Sequence, residues 1–292
     1  MDITKKLRNG ALLAGAGLIL SIPSNVNAAE INPENHKSVK SEEYEYDSQA
    51  CAGALVGNSL LQGVIAGIGG LQNGSSFWRS FYQGAIGGAF VGAGKCMVAQ
   101  DSNNAWSAKL TNALGSSIVY NVSNGDSSLD SLGIDYGPVF MSWSSEGFKS
   151  YVLPYSAVNF LDGMVNYRLN LSDSLEYGTP IFSGKLDGFA EGGASANIIY
   201  LQEENLTKDR DHNLRHELIH THQYSSGRAL GNIMTNSTRP TRVTSENFEN
   251  HNVLVEHDVA DKTLYHMQRF LPGPSYKSPE EQEAYNLTGE SR

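Results

Sequence analysis

Leu214-Arg215-His216-Glu217-Leu218-Ile219-His220-Thr221-His222-Gln223-Tyr224 is the stretch on which the reading of this chain turns. It holds a His-Glu-x-x-His pattern. Residues four apart share one face of a helix, so His216 and His220 can point both imidazoles at one metal ion. Glu217 lies about 100° round the helix from His216. From there its carboxylate can reach a metal-bound water without ligating the metal, which is where a general base belongs. Leu214 and Leu218 fall on the opposite side and can pack into a core. Gln223 returns to the metal-facing side, and Asp209 or Asp211 can cap the helix start. His222 and His212 point away from the pair and read as surface residues.

A catalytic zinc takes three protein ligands and keeps one position for water. A third histidine six residues after His220 is ruled out, because Ser226 stands there. Two later segments offer a carboxylate. The helix-like stretch from Asn252 to Phe270 carries Glu256, His257, Asp258 and Asp261. The second is Ser278-Pro279-Glu280-Glu281-Gln282-Glu283-Ala284-Tyr285. Here Ser278 suits an N-cap, Pro279 the first helical position, and Glu281 completes a capping box. That gives Glu281 a structural role. Glu283, free of the cap and beside small Ala284, is favoured as third ligand, with Glu256 behind it and Glu281 the remaining alternative.

The N-terminus has the pattern of a secretory signal. Lys5, Lys6 and Arg8 precede an apolar run from Ala11 to Ile22, and Val26-Asn27-Ala28 offers a cleavage site after Ala28. The run is short of the roughly 20 residues a membrane span needs. The net charge of −10 becomes −12 when three basic residues and Asp2 leave with residues 1–28. No basic stripe exists, which excludes nucleic acid as an expected partner. The expected location is exported: periplasmic, envelope-associated or secreted. Residues 29–50 are polar and read as a linker or short propeptide.

Residues 51–99 differ in kind. Two apolar, small-residue-rich runs flank the turn signal Asn73-Gly74-Ser75-Ser76. Glycines recur at spacing four: Gly53 and Gly57, Gly63 and Gly67, then Gly84, Gly88 and Gly92. On helices this spacing lets backbones approach closely. The segment reads as a helical hairpin with a glycine-zipper seam, similar to glycine-zipper regions of bacterial envelope proteins and toxins. Cys51 and Cys96 are nearly symmetric about the turn, so antiparallel arms bring them together, and an oxidising compartment permits a disulfide. The hairpin either contacts a membrane or is buried against the rest of the protein. Arg79 and Lys95 favour burial or a peripheral position.

Residues 101–200 contain strand-like runs at 117–122, 138–143, 149–153, 165–171 and 195–201, and the pattern turns helical from about 209 onward. Strands followed by helices imply an α+β fold over residues 100–292.

His216-Glu217-x-x-His220-x-x-Gln223 followed by a late Pro-x-Glu-x-Glu-Ala segment resembles the HExxHxxQ metallopeptidase-like families of the zincin superfamily, over roughly residues 195–288. The long stretch 225–277 between the two motifs departs from that pattern. The resemblance implies a zincin-like domain, mostly antiparallel sheet followed by the active-site helix and C-terminal helices, preceded by the hairpin. It implies an exported Zn²⁺-dependent peptidase, with His216, His220 and Glu283 on the metal and Glu217 as general base, acting on a protein or peptide substrate as an effector or toxin. In such folds an edge strand before the active helix holds an extended substrate, and Ser195 to Leu201 would be that strand. Tyr224, Tyr285 and His266 are candidates for stabilising the oxyanion. The competing expectation is a non-catalytic, membrane-interacting envelope protein acting through residues 51–99.

Overall fold

A computed structural model describes residues 48–186, 192–203, 210–227, 253–255 and 279–289. The stretch read as a signal and most of that read as a linker therefore lie outside the described residues, as do Asp209, Glu256 and His266.

Two long antiparallel helices open the described chain, α1 (Ser48–Gln72) and α2 (Phe77–Gln100). The helix begins inside the stretch read as linker. A disulfide joins Cys51 to Cys96, with Cα atoms 5.5 Å apart. The two helices meet because α2 is bare at their seam. A Cβ added at Gly84, Gly88 or Gly92 would fall within 3.0 Å of α1, against Ala66, Asn58 and Leu55 among others. Gly53 and Gly57 instead face open space.

A third helix, α3 (Ala105–Ser123), follows a short 3₁₀ turn. It packs on the other side of α2, where Gly87 and Gly94 meet the backbone oxygens of Gly115 and Ala108. The run 117–122, expected as a strand, lies inside this helix. Its β-branched Ile118 and Val119 suit a strand intrinsically. Here they recur with Ala105, Ala108 and Val122 on one buried helical face, and that packing overrides local preference.

Two four-stranded sheets follow. β1 (Ser131–Tyr136), β2 (Val139–Ser144) and β3 (Gly147–Val152) form an antiparallel meander, to which β8 (Val253–Val255) adds in parallel. β8 interrupts the stretch expected to be helical. The second sheet has the order β4 (Arg168–Leu169), β5 (Ile181–Gly184), β7 (Ile198–Gln202), β6 (Gly192–Ser195). α4 (Pro154–Asn166) connects the two sheets, and α5 (Leu171–Glu176) lies between β4 and β5. Segment 165–171 is thus split between the end of α4, two-residue β4 and the start of α5. The fold is α+β.

α6 (Arg210–Ser226) and α7 (Pro279–Thr288) complete the described elements. Leu214, Leu218 and Ile219 of α6 join one core cluster with Cys51, Ala54, Cys96 and Val98 of the hairpin, Ile181 and Ile199 of the second sheet, and Ala284 and Leu287 of α7. The hairpin is therefore part of the core that seats α6.

Cross-linking residues 45 apart restricts the unfolded chain, on which a disulfide's stabilisation mainly rests. Replacing both cysteines by serine is expected to remove about 2–4 kcal/mol. Urea unfolding should show a lower midpoint and a steeper slope, because the unfolded chain without the cross-link exposes more surface.

Candidate metal centre

α6 presents three kinds of residue on three sides. Its apolar side enters the core, as Leu214 and Leu218 require. At its start Asp211 accepts a hydrogen bond from Ser102 and pairs with Arg215, one turn on, at 3.1 Å. On the remaining side His216 and His220 converge, their Nε2 atoms 3.1 Å apart.

The third group is Glu281. Its Oε2 lies 3.3 Å from His216 Nε2 and 3.5 Å from His220 Nε2. These three are the group that could hold a metal ion among the described residues. Two donors each 2.0–2.1 Å from a tetrahedral zinc stand about 3.3–3.4 Å apart. The observed separations bracket that value on every side of the triangle, so the donor set fits a cation of this size. Mixed imidazole and carboxylate donors suit the same class of ion.

Glu283, favoured from the sequence as third ligand, is occupied elsewhere. It is two residues beyond Glu281, about 200° round the helix. Its carboxylate accepts from Lys95 Nζ at 2.7 Å, from Asn58 Nδ2 at 2.8 Å and from Gln223 Nε2 at 2.8 Å. A buried ammonium binds a carboxylate more firmly than a helix cap does, so Glu283 belongs to Lys95 and Glu281 faces the histidines. Sequence reasoning assigned Glu281 to the capping box. The missed signal was Lys95, the sole charge in the inner half of an apolar hairpin. Ala284 is fully buried, and the close helix approach expected of it is present.

Electrostatics follow from this crowding. Burial opposes charge on Glu281, but the hydrogen bonds and charges of His216 and His220 outweigh it and hold the carboxyl well below its usual range. Burial likewise opposes charge on His220, yet Glu281 and Glu217 together raise its pKa to about 9. Glu217 is buried, and that burial raises its carboxyl, with His220, His216 and the Ala194 backbone N–H pulling the other way. His220 Nδ1 lies 2.7 Å from Gln223 Oε1. Gln223 thus does return to the side of the helix that carries the two histidines, in contact with the His220 ring.

β6 runs beside Glu217. A Cβ at Gly192 would stand 3.2 Å from the Glu217 carboxylate. The edge of the sheet is β6 itself, whereas Ile198, Ile199 and Leu201 of β7 are buried between β5 and β6. The expected edge strand 195–201 is therefore mostly an interior strand, as its apolar residues demand. Tyr285 packs on His216, with ring centroids 4.8 Å apart. The Tyr224 hydroxyl lies 3.3 Å from Ser156.

His212 and His222, read as surface residues, are both buried. Their side of α6 is covered by residues of α2, α3 and the 3₁₀ turn between them, which the isolated helix pattern did not reveal. Comparison with protein-family models, with curated proteins and with solved structures gives no match.

Burial, reinforced by Lys109 and Lys95 and opposed by Asp135, lowers the His222 pKa to about 3. An unfolded histidine takes up its proton near 6.5. Between those values the unfolded chain binds one more proton, so stability falls as pH drops from about 6.5 toward 3, by at most about 1.4 kcal/mol per unit. In His222→Asn, acid unfolding curves should be flatter over that window than in wild type.

Proposed function

We propose that this protein is an exported zinc-dependent peptidase of zincin-like architecture. The observation that carries this reading is the triangle of His216, His220 and Glu281 donors with a buried carboxylate, Glu217, on the adjoining helical position. His216, His220 and Glu281 would hold Zn²⁺. Bound there, zinc would lower the pKa of a water and polarise the scissile carbonyl.

Glu217 does the proton work. Its raised pKa suits a base that takes a proton from water and returns it to the leaving amine. The Ala194 N–H fixes the carboxylate, and edge strand β6 offers backbone groups to an extended peptide beside it. Tyr285 is the better placed of the oxyanion candidates, since it touches a ligand ring. The Cys51–Cys96 disulfide accords with an oxidising compartment outside the cytoplasm. A role as effector or toxin remains part of this proposal.

Metal analysis of the purified protein is expected to give about one zinc per chain. His220→Ala should lose it. Glu217→Gln should keep the zinc and lose peptide hydrolysis by about 10²–10⁴-fold. Equal and negligible zinc in wild type and His220→Ala would remove the basis for any hydrolase.

A second reading is a membrane-interacting envelope protein acting through residues 51–99. It draws on the outer face of the hairpin, where Val56, Leu60, Leu61, Ile86 and Trp78 are all more than half exposed. α1 is also long and apolar enough to cross a membrane. On this reading Leu60→Lys with Leu61→Lys should abolish co-sedimentation with phospholipid vesicles, while Glu217→Gln sediments as wild type does.

A further inference from the structure

The Lys95–Glu283 pair does more than tie α7 to the hairpin, because hydrogen-bond polarity runs from it into the ligand set. An ammonium only donates, so Lys95 faces the Asn58 oxygen, Oδ1, at 2.9 Å. The Asn58 amide nitrogen then turns to Glu283 Oε1 and to the Ala54 carbonyl, each at 2.8 Å. A carboxylate only accepts, so the Gln223 nitrogen must face Glu283 and its carbonyl oxygen must face His220. A carbonyl oxygen also only accepts. His220 therefore keeps a proton on Nδ1 and presents Nε2 toward His216 and Glu281, the nitrogen left to ligate a metal ion once its own proton is displaced.

We infer that Glu283 is a positioning residue for the metal centre: anchored by Lys95 and Asn58, it sets the Gln223 amide and through it the tautomer and tilt of His220. The hairpin is then a working part of the metal site. Its two cysteines close the end of the hairpin that carries Lys95, next in sequence to Cys96. This inference rests on the reading of His216, His220 and Glu281 as metal ligands. The residue the sequence favoured as a ligand acts one step further out.

Groups that orient a ligand imidazole commonly contribute 10–100-fold to metal affinity. The test uses the full mature protein loaded with Co²⁺ or Zn²⁺, with affinity read by chelator competition and ligand geometry by the Co²⁺ d–d absorption bands. Far-UV circular dichroism under the same conditions confirms folding. Glu283→Gln and Gln223→Leu should each bind about 10–100-fold more weakly, with shifted cobalt bands. Lys95→Met should follow them, and Lys95→Arg, which keeps the charge, should recover most of the affinity. Gln223→Leu leaves the Lys95–Asn58–Glu283 contacts in place, so it remains informative where the charge variants fold poorly. Wild-type affinity and an unshifted spectrum in folded Gln223→Leu would overturn the positioning role and leave the proposed function standing. Absence of Co²⁺ and Zn²⁺ binding by wild type would overturn both.

Discussion

Lys95 has 4% of its side chain exposed, on a hairpin arm packed against α1, and its charge needs a carboxylate partner. Breaking such a pair by removing one member costs of order 3–5 kcal/mol, since the other charge stays buried. Glu283 is that partner, and it sits on α7. The pairing fixes the rotation of α7 about its own axis: with Glu283 turned to the hairpin, Glu281 is turned to α6. Ala284 and Leu287 set the depth of the same helix in the core. Glu281, more than sixty residues downstream of the histidines, is thereby aimed at them by an ion pair it does not join.

This arrangement explains which parts of the site were legible in the sequence. The spacing of His216, Glu217 and His220 is a local property of one helix, so the side-by-side placement of the two imidazoles was legible in it. The hairpin was legible for the same reason, through its turn, its small residues and two cysteines nearly symmetric about the turn. The choice between Glu281 and Glu283 was not local. Capping preference argued for keeping Glu281 at the helix end, and only the two hairpin helices, with Asn58 on α1 and Lys95 on α2, decide against it. His212 and His222 were misjudged similarly, because one amphipathic helix shows its own faces and not the helices that cover a second one.

The strands were less legible than the helices. Ile118-Val119 has strand character taken alone, yet Gly87 and Gly94 of α2 leave a groove that only a helix with small residues can enter. Ile198-Ile199 was recognised as strand, but its continuous apolar character marks an interior position rather than an edge. The glycine pair that forms β6 has weak strand propensity, and it reaches the edge through its pairing with β7. A bare edge next to Glu217 is also where a side chain would be least welcome, since a Cβ at Gly192 already crowds that carboxylate.

A shared core bears on how the two functional readings can be separated. Deleting residues 51–99 would remove Lys95, Asn58 and the apolar residues against which α6 rests, so it would disturb the metal site whatever the hairpin's own role. Loss of function on such a deletion cannot distinguish a membrane module from a scaffold. The two faces of the hairpin differ chemically, however. Its inner face holds Gly84, Gly88, Gly92, Asn58 and Lys95, while its outer face exposes aliphatic and aromatic side chains. Substitutions confined to the outer face leave the ion pair, the disulfide and the core intact, and so address membrane contact alone. Substitutions at the inner polar residues reach the group of His216, His220 and Glu281, together with a cost in stability that the outer face does not share. The same fold that binds the two regions together keeps their chemistry on opposite sides of one pair of helices.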